Sequence, residues 1–185
     1  MNSDHFEKLD RILAVVRWAF PTSHPVIGGG ALRDHLLNRP IKDVDVFLRA
    51  KDHDNLDSEL TKRIRPPLLA QLYGRPDMHG AWDFQQILEG FQVQLILAEF
   101  ETKEDLAHTF DLGLSRVTYD ETGLYVTSEF DADAINKVFR VYRADNNYEL
   151  KRTLRRIERL SEKYPDFFHE VSLIESAASA GTILS

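Results

Sequence analysis

The residues with the clearest chemical potential lie in the run VIGGGALRDHLLNRPIKDVDVFL, which begins at residue 26. A glycine-rich turn follows an apolar segment and leads into a short helix that carries Arg33 and Asp34. The chain then returns as a strand bearing Asp43 and Asp45, whose side chains share one face because they are two positions apart. Carboxylates on one face can hold a divalent cation, and backbone N–H groups in the turn can hold phosphate. The segment therefore indicates metal-dependent phosphoryl chemistry on a nucleotide.

Each of these features has a plainer explanation when it is taken alone. Gly28 and Gly29 are also typical of a tight strand-to-helix turn that binds nothing. The neighbouring arginine and aspartate can form a surface ion pair, and the two strand carboxylates can belong to a solvated face. Their joint order and spacing favour the chemical interpretation over three independent coincidences.

Hydrophobic periodicity predicts the elements that position this run. Apolar residues at helical spacing predict an amphipathic helix over 6–20, which Pro21 closes. A short strand at Val26 and Ile27, a helix over 31–37 and an alternating strand over 43–48 follow. Further along, the pattern predicts a surface helix over 51–63 and two strands in 82–100 that are joined at Glu89–Gly90.

The last third of the chain contains one clear element. Residues 110–119 are compatible with a helix or with irregular structure, and 123–127 indicate a turn and a short strand. Between Glu149 and Lys163 an amphipathic helix carries six lysines or arginines against three glutamates. This basic helix is a candidate contact for RNA phosphates, although a solvated helix with internal ion pairs explains it equally well.

Composition limits the classes of function. The 185 residues are 43% hydrophobic, enough for one compact domain with a helical extension. The chain has no cysteine, so a bound metal must use oxygen or imidazole ligands. No long apolar run or secretory segment is present, which predicts a soluble cytoplasmic protein without a membrane partner. The net charge of −7 argues against a broadly cationic nucleic-acid surface but allows a local basic groove.

Three segments together resemble a known family. The run GGALRDHLLNRPIKDVDVFL resembles the head-domain signature of the tRNA nucleotidyltransferase and poly(A) polymerase family. Downstream, FDLGLSRVTYD resembles that family's second motif, and RTLRRIERL resembles the Arg-rich helix that joins head to neck. The resemblance runs in order from about Val26 to Leu160. It implies an α+β polymerase-β-like nucleotidyltransferase fold, with a mixed sheet flanked by helices and a C-terminal helical extension.

The resemblance also implies a reaction and its residues. Members of this superfamily transfer a nucleoside monophosphate from a nucleoside triphosphate to a hydroxyl, here most simply an RNA 3′ end of the tRNA type. Asp43 and Asp45 would be the catalytic carboxylates and would hold two Mg²⁺ ions. The nucleotide-binding residues carried over are Gly28, Gly29, Arg33, Asp34, Asp111, Arg116, Arg152 and Arg155.

The sequence departs from the family pattern at several positions. The third acidic position of this fold falls near Gln94, with Gln92 on the same face, and Asp83 or Glu99 are the acids that could supply the missing charge. In the second motif Ser115 stands where the family has asparagine. A Glu-Asp-x-x-Arg motif, which selects C and A in tRNA nucleotidyltransferases, does not follow the basic helix, so the resemblance does not extend to CCA addition.

The resulting domain prediction has three parts. Residues 1–145 form the nucleotidyltransferase head, 146–170 a basic neck-like helix packed on it, and 171–185 a flexible tail. Two classes of function remain open. The chain is an active Mg²⁺-dependent nucleotidyltransferase, or it is a catalytically degenerate member that binds nucleotide, RNA or a protein partner. A modifier of a protein or small-molecule target is a variant of the first class.

Overall fold

The computed structural model describes residues 3–52, 77–83 and 87–170, which form an α+β fold with a six-stranded mixed sheet flanked by helices. The strands are β1 (Val26–Gly28), β2 (Asp43–Arg49), β3 (Met78–Asp83), β4 (Gln92–Ala98), β5 (Val117–Asp120), β6 (Gly123–Val126), β7 (Val138–Phe139) and β8 (Phe168–His169). The helices are α1 (Ser3–Ala19), α2 (Gly30–Leu36), α3 (Lys103–Thr109), α4 (Ser128–Asn136) and α5 (Asn147–Lys163). None of these described helices has the length and apolarity needed to cross a membrane.

The sheet places β2 near its centre. The strand order is β3-β4-β2-β1-β5-β6, in which β2 and β4 run parallel and the other neighbours run antiparallel. The parallel register puts Asp43 opposite Gln92 and Asp45 opposite Gln94. Strands β7 and β8 form a separate two-stranded parallel pair. The α+β class and the mixed sheet predicted from the sequence are confirmed.

Two apolar clusters cover the two faces of the sheet. On one face, α1 and α2 bury side chains such as Ile12 and Leu32 against Val46 of β2. On the other face, Phe47 packs with Phe110, which follows α3, at 5.5 Å between ring centroids. The second cluster does not extend to the start of β2, where Asp43 is exposed and Asp45 is only partly buried. One sheet face therefore stays open at the two aspartates.

A third apolar cluster attaches α5 to the rest of the fold. Ile157, Leu160 and the fully buried Tyr164 pack against Leu112 and Phe139. These apolar side chains recur at helical spacing, so the predicted stripe of the basic helix faces the protein. Burial of each large side chain contributes about 1.5–3 kcal/mol, which stabilises the packing of α5 on this cluster.

Most of the predicted elements are present, with some different bounds. The helix over 6–20, the short strand, the helix over 31–37 and the strand over 43–48 correspond to α1, β1, α2 and β2. The turn at Glu89–Gly90 is a two-residue hairpin turn in which both residues have positive φ, 53° and 89°. The predicted surface helix over 51–63 lies outside the described residues, apart from a 3-10 turn at Ala50–Asp52. The proposed tail, 171–185, also lies outside them.

One strand prediction was wrong in its position, and two helices were not predicted. The strand expected to begin at Trp82 begins at Met78, and the register shifts between Met78 and Gly80. This irregularity breaks the alternating pattern on which a strand is recognised. Helices α3 and α4 were missed, although Thr102 and Thr127 cap them with side-chain hydrogen bonds.

Candidate active site

The glycine turn connects β1 to α2, and its two glycines are needed for different reasons. A Cβ on Gly28 would lie 2.8 Å from the Phe110 ring, so this position is constrained by packing. Gly29 has φ of +75°, a conformation that side chains other than glycine rarely adopt, and a Cβ there would meet nothing within 4 Å. Because Gly29 has no side chain, its backbone remains accessible from the space in front of the sheet.

Asp43 and Asp45 present their carboxylates on the open face at the start of β2. Burial and then repulsion from Asp43 raise the pKa of Asp45 to about 6. Arg156 and Arg33 act in the opposite direction but do not cancel these two effects. The site thus holds two close carboxylates whose repulsion a cation would relieve.

The residues aligned across β2, β4 and β3 at Asp45 are two carboxylates and one amide, not three carboxylates. Gln94 lies opposite Asp45 on β4, and Asp83 lies opposite Gln94 on β3. The Gln94 Nε2 donates a hydrogen bond of 3.0 Å to the Asp83 Oδ1. The charge of Asp83 reaches Asp45, whose pKa it helps to raise. Glu99 lies instead beside His79, 2.7 Å away at its Oε1, and does not belong to this row.

Arg33 and Asp34 form a buried pair behind the glycine turn. The Arg33 Nε and Nη2 atoms lie 3.0 and 2.8 Å from the Asp34 Oδ1. Tyr164 donates to the same oxygen at 2.5 Å, and the Lys163 ammonium binds the other oxygen. Asp34 thus connects α2 to the end of α5. The Arg33 Nη1 is buried and has no hydrogen-bond partner among the described residues.

Three arginines line the same space as Asp45, and we call them the cationic wall: Arg143, Arg152 and Arg156. Asp111 accepts hydrogen bonds from the Thr153 hydroxyl at 2.7 Å and from the Arg156 Nη1 at 2.9 Å, which fixes this arginine. Burial alone would raise the pKa of Asp111, but Arg156, Thr153 and Arg152 hold it below its ordinary value. Arg143 is fixed in a similar way by Asp77 and Asp145 at 3.0 and 2.7 Å.

A cleft separates the carboxylates from this wall. It contains about 600 Å³ of space when its open mouth is included. Its floor is apolar, with Phe47, Ile96 and Phe110, and its polar lining comes from both walls. The polar lining residues are Asp45, Asp111, Arg143, Glu149, Arg152, Thr153 and Arg156. An aromatic floor between a carboxylate and several arginines suits a planar base attached to phosphates.

The structure brings some of the sequence-predicted residues together and separates others. Gly29, Asp45, Asp111 and Arg152 line the cleft. Asp43 lies on the same sheet face as Asp45, while Gly28, Arg33 and Asp34 are not among the residues that line the cleft. Two residues lie elsewhere. Arg155 is exposed, and the buried Arg116 is bound to the Glu129 carboxylate and the Phe110 carbonyl, at 2.9 and 3.1 Å.

The sequence prediction missed cleft residues on and near α5. Arg156 is four residues after Arg152 and Arg155 is three after it, and both spacings place side chains on one helix face, so the spacing offered Arg156 as a candidate together with Arg155. Glu149 and Thr153 follow from the same spacing. Arg143 precedes α5 in an irregular segment, and no spacing in the sequence indicates its place in the cleft.

Comparisons with known proteins show the fold. No protein-family model and no curated protein matches the chain by sequence. The solved structures that match include a Bacillus stearothermophilus CCA-adding enzyme in complex with CTP, at a TM-score of 0.59, 15% identity and 92% coverage of this chain. A CCA-adding enzyme with ATP matches at 0.57, 17% and 91%, and the Thermotoga maritima enzyme complexed with tRNA at 0.54, 18% and 88%. The chain covers only 42%, 42% and 40% of these three chains. It therefore has the nucleotidyltransferase fold that CCA-adding enzymes share.

Proposed function

We propose that this protein is a metal-dependent nucleotidyltransferase that transfers a nucleoside monophosphate from a triphosphate to a hydroxyl acceptor. One observation carries the proposal: a cleft with Asp45 on one wall and Arg143, Arg152 and Arg156 on the other. A metal-bound triphosphate needs both kinds of group, because its metal binds carboxylates and its phosphates bind arginines. The fold supports the same reaction by similarity to the CCA-adding enzymes.

The residues present fit Mg²⁺. Asp43 and Asp45 offer carboxylate oxygens on one face, and the raised pKa of Asp45 reflects its burial and then its repulsion from Asp43, which a divalent cation would relieve. Among the described residues, no three acidic or histidine side chains gather as a complete metal cage. Mg²⁺ typically binds one or two carboxylates together with substrate phosphates, so the pair is sufficient when triphosphate is bound. Bound there, Mg²⁺ would lower the pKa of the attacking hydroxyl and offset charge on the leaving pyrophosphate.

The protein side chains then have separate roles in the proposed reaction. Arg152 and Arg156 bind the triphosphate from the α5 side, and Asp111 holds Arg156 in place. Phe47 and Phe110 supply an apolar surface for the base. The Arg33 Nη1, which has no hydrogen-bond partner among the described residues, is a further donor on a guanidinium whose charge acts on Asp45, and Asp34 fixes the orientation of that guanidinium. These fixed groups hold the reacting phosphate in position, which is the main contribution a protein makes to phosphoryl transfer.

An RNA end is the acceptor we propose. The solved structures with this fold include an enzyme complexed with tRNA, and α5 carries an excess of positive charge beside the cleft in an acidic protein. A nucleoside triphosphate and an RNA hydroxyl are thus the two proposed substrates. The similarity covers less than half of each neighbouring chain, so the sequence added by those enzymes is not part of the proposal.

A transfer assay tests the proposal. The protein is incubated with each α-labelled triphosphate, Mg²⁺ or Mn²⁺ and total RNA, and then RNA, protein and small molecules are separated. We expect label in the RNA fraction with wild type and none with Asp43→Ala/Asp45→Ala. Absence of both label transfer and metal-dependent triphosphate binding would refute the enzyme assignment. Label in the protein or small-molecule fraction would keep the reaction and change the acceptor.

One observation favours a second candidate, a nucleotide-binding protein without catalysis. Gln94 takes the place of a third acid next to Asp45, and an amide is a weaker ligand for Mg²⁺ and a poor base. This candidate predicts metal-dependent triphosphate binding without transfer. Gln94→Glu would then be expected to create measurable transfer, whereas in an active enzyme it changes an existing rate.

A further inference from the structure

Helix α5 has an outer face that the proposed reaction does not use. Its cleft face carries Arg152 and Arg156, and its apolar face packs on the third cluster. Between the cleft face and solvent lies a row formed by Lys151, Arg155 and Arg159, all exposed. These three residues are four positions apart, so they follow one side of the helix at intervals of about 6 Å. We call this row, together with Tyr148, the outer stripe.

Among the described residues, the cations of the outer stripe are unusual because they have no carboxylate partner. Most described lysines and arginines form ion pairs, from Lys8 with Asp4 to Lys163 with Asp34. By contrast, Lys151, Arg155 and Arg159 form neither an ion pair nor a side-chain hydrogen bond within residues 3–52, 77–83 and 87–170. In a chain of net charge −7, an uncompensated cationic row is complementary to a polyanion.

An exposed aromatic ring lies at the end of the stripe nearest the cleft. Tyr148 is 62% exposed. It precedes Lys151 by three residues and Arg152 by four, so its ring shares their side of the helix. Cations that follow a phosphate backbone next to an aromatic ring on which a base stacks are the arrangement by which proteins bind single-stranded nucleic acid. A duplex would offer Tyr148 no free base, and an acidic peptide would gain little from a flat ring.

We propose that the outer stripe binds the single-stranded 3′ segment of an RNA acceptor, with one unpaired base stacked on Tyr148 and phosphates on the three cations. The inference rests on the proposed function for the direction in which the RNA lies on the helix, because the reaction needs the 3′ end of the strand at the cleft, near Arg152. It also divides α5 between two ligands. The cleft face binds triphosphate, and the outer stripe binds the acceptor.

Binding of a fluorescent single-stranded RNA tests the stripe without relying on catalysis. Anisotropy is measured with a 12-nucleotide RNA of mixed sequence, without nucleotide or Mg²⁺, from 50 to 200 mM salt. In Lys151→Gln/Arg155→Gln/Arg159→Gln we expect the negative slope of log affinity against log salt to become shallower by about 2, since each single-strand phosphate contact contributes about −0.7. Tyr148→Ala should weaken RNA binding by about fivefold or more, whereas Tyr148→Phe, which keeps an aromatic ring, should bind RNA with the affinity of wild type.

Two controls separate this inference from its alternatives. Arg11→Gln/Lys51→Gln/Lys137→Gln removes the same charge from other exposed positions and should leave the RNA affinity within about twofold of wild type. Metal-dependent triphosphate binding should be unchanged in the stripe variant. Its retention alongside lost RNA binding supports the stripe even if transfer is never observed.

Several results would overturn the proposal. They are an unchanged salt slope in the stripe variant, an equal loss in the control variant, and an equal loss of triphosphate binding. An effect of Tyr148→Ala that is the same for duplex and single-stranded RNA would also contradict base stacking. Competition by a polyglutamate peptide as strong as that by RNA of equal charge would assign the stripe to acidic partners in general.

Discussion

Replacing Asp45 by asparagine should remove metal binding and, at the same time, stabilise the metal-free protein. Burial and Asp43 raise the pKa of Asp45 from its ordinary 3.8 to about 6. Two pKa units correspond to about 3 kcal/mol. Because Asp45 is only partly buried, solvent screening reduces the expected gain to about 1–2 kcal/mol. Asparagine keeps the shape of the side chain and cannot ionise.

The sign of the pH dependence follows from the direction of this shift. Native Asp45 binds its proton more tightly than the unfolded chain does, so the wild-type free energy of unfolding falls as pH rises from about 4 to about 6. Above about pH 6 the cost of the ionised carboxylate is constant. The difference between Asp45→Asn and wild type should therefore be close to zero near pH 4 and reach its full size above pH 6. Asp133, whose pKa burial also raises to about 6, is present in both proteins and cancels in the difference.

Urea unfolding in EDTA between pH 4 and pH 8 measures this difference. The matched control is Glu158→Gln, which removes an exposed carboxylate from α5. Addition of Mg²⁺ together with a nucleoside triphosphate should stabilise wild type more than Asp45→Asn, because only wild type keeps both carboxylates. An Asp45→Asn protein that is no more stable than wild type at pH 7.5 would refute the claim that burial and repulsion from Asp43 penalise the ionised Asp45.

Further predictions concern the turn and the anchor behind the cleft. Gly28→Ala should cost about 1–3 kcal/mol, since its Cβ would overlap the Phe110 ring, and Gly29→Ala should cost a similar amount through backbone strain; urea unfolding measures both. Asp34→Asn removes the carboxylate that binds Arg33 and Lys163, so we expect a loss of about 3–5 kcal/mol, and a loss below 1 kcal/mol would contradict its role as an anchor. Arg152→Gln should weaken triphosphate binding more than RNA binding, and Arg155→Gln should do the reverse, as titrations with each ligand would show.

The order of elements around the glycine turn could be predicted from the sequence because each has a strong local signal. Glycines mark the turn, Val44 and Val46 alternate with the aspartates, and Gly90 suits the positive φ of the hairpin turn, which Glu89 also adopts. Helices α3 and α4 have short apolar patterns, and only their threonine caps indicate where they begin. Their formation depends on packing with distant segments, which a local pattern does not contain.

The two walls of the cleft differ in how far they can be predicted. The carboxylate wall lies within one continuous segment, so spacing alone indicates it. The cationic wall requires α5 to pack against Leu112 and Phe139. Only that packing turns Arg156 inwards while leaving Arg155 in solvent. Arg116 illustrates the same limit. Its sequence position resembles a phosphate contact, but its guanidinium is buried against Glu129 and over the Tyr142 ring.

Transfer from two differently labelled triphosphates is the most direct test of the proposed reaction. Wild-type protein is incubated with Mg²⁺, total RNA and each triphosphate labelled either at the α-phosphate or at the γ-phosphate. Asp43→Asn/Asp45→Asn is assayed in parallel. We expect the α-label to enter RNA and the γ-label to appear in pyrophosphate with wild type only. Label from the γ-phosphate in the product, or equal transfer by the double variant, would contradict nucleotidyl transfer at Asp43 and Asp45.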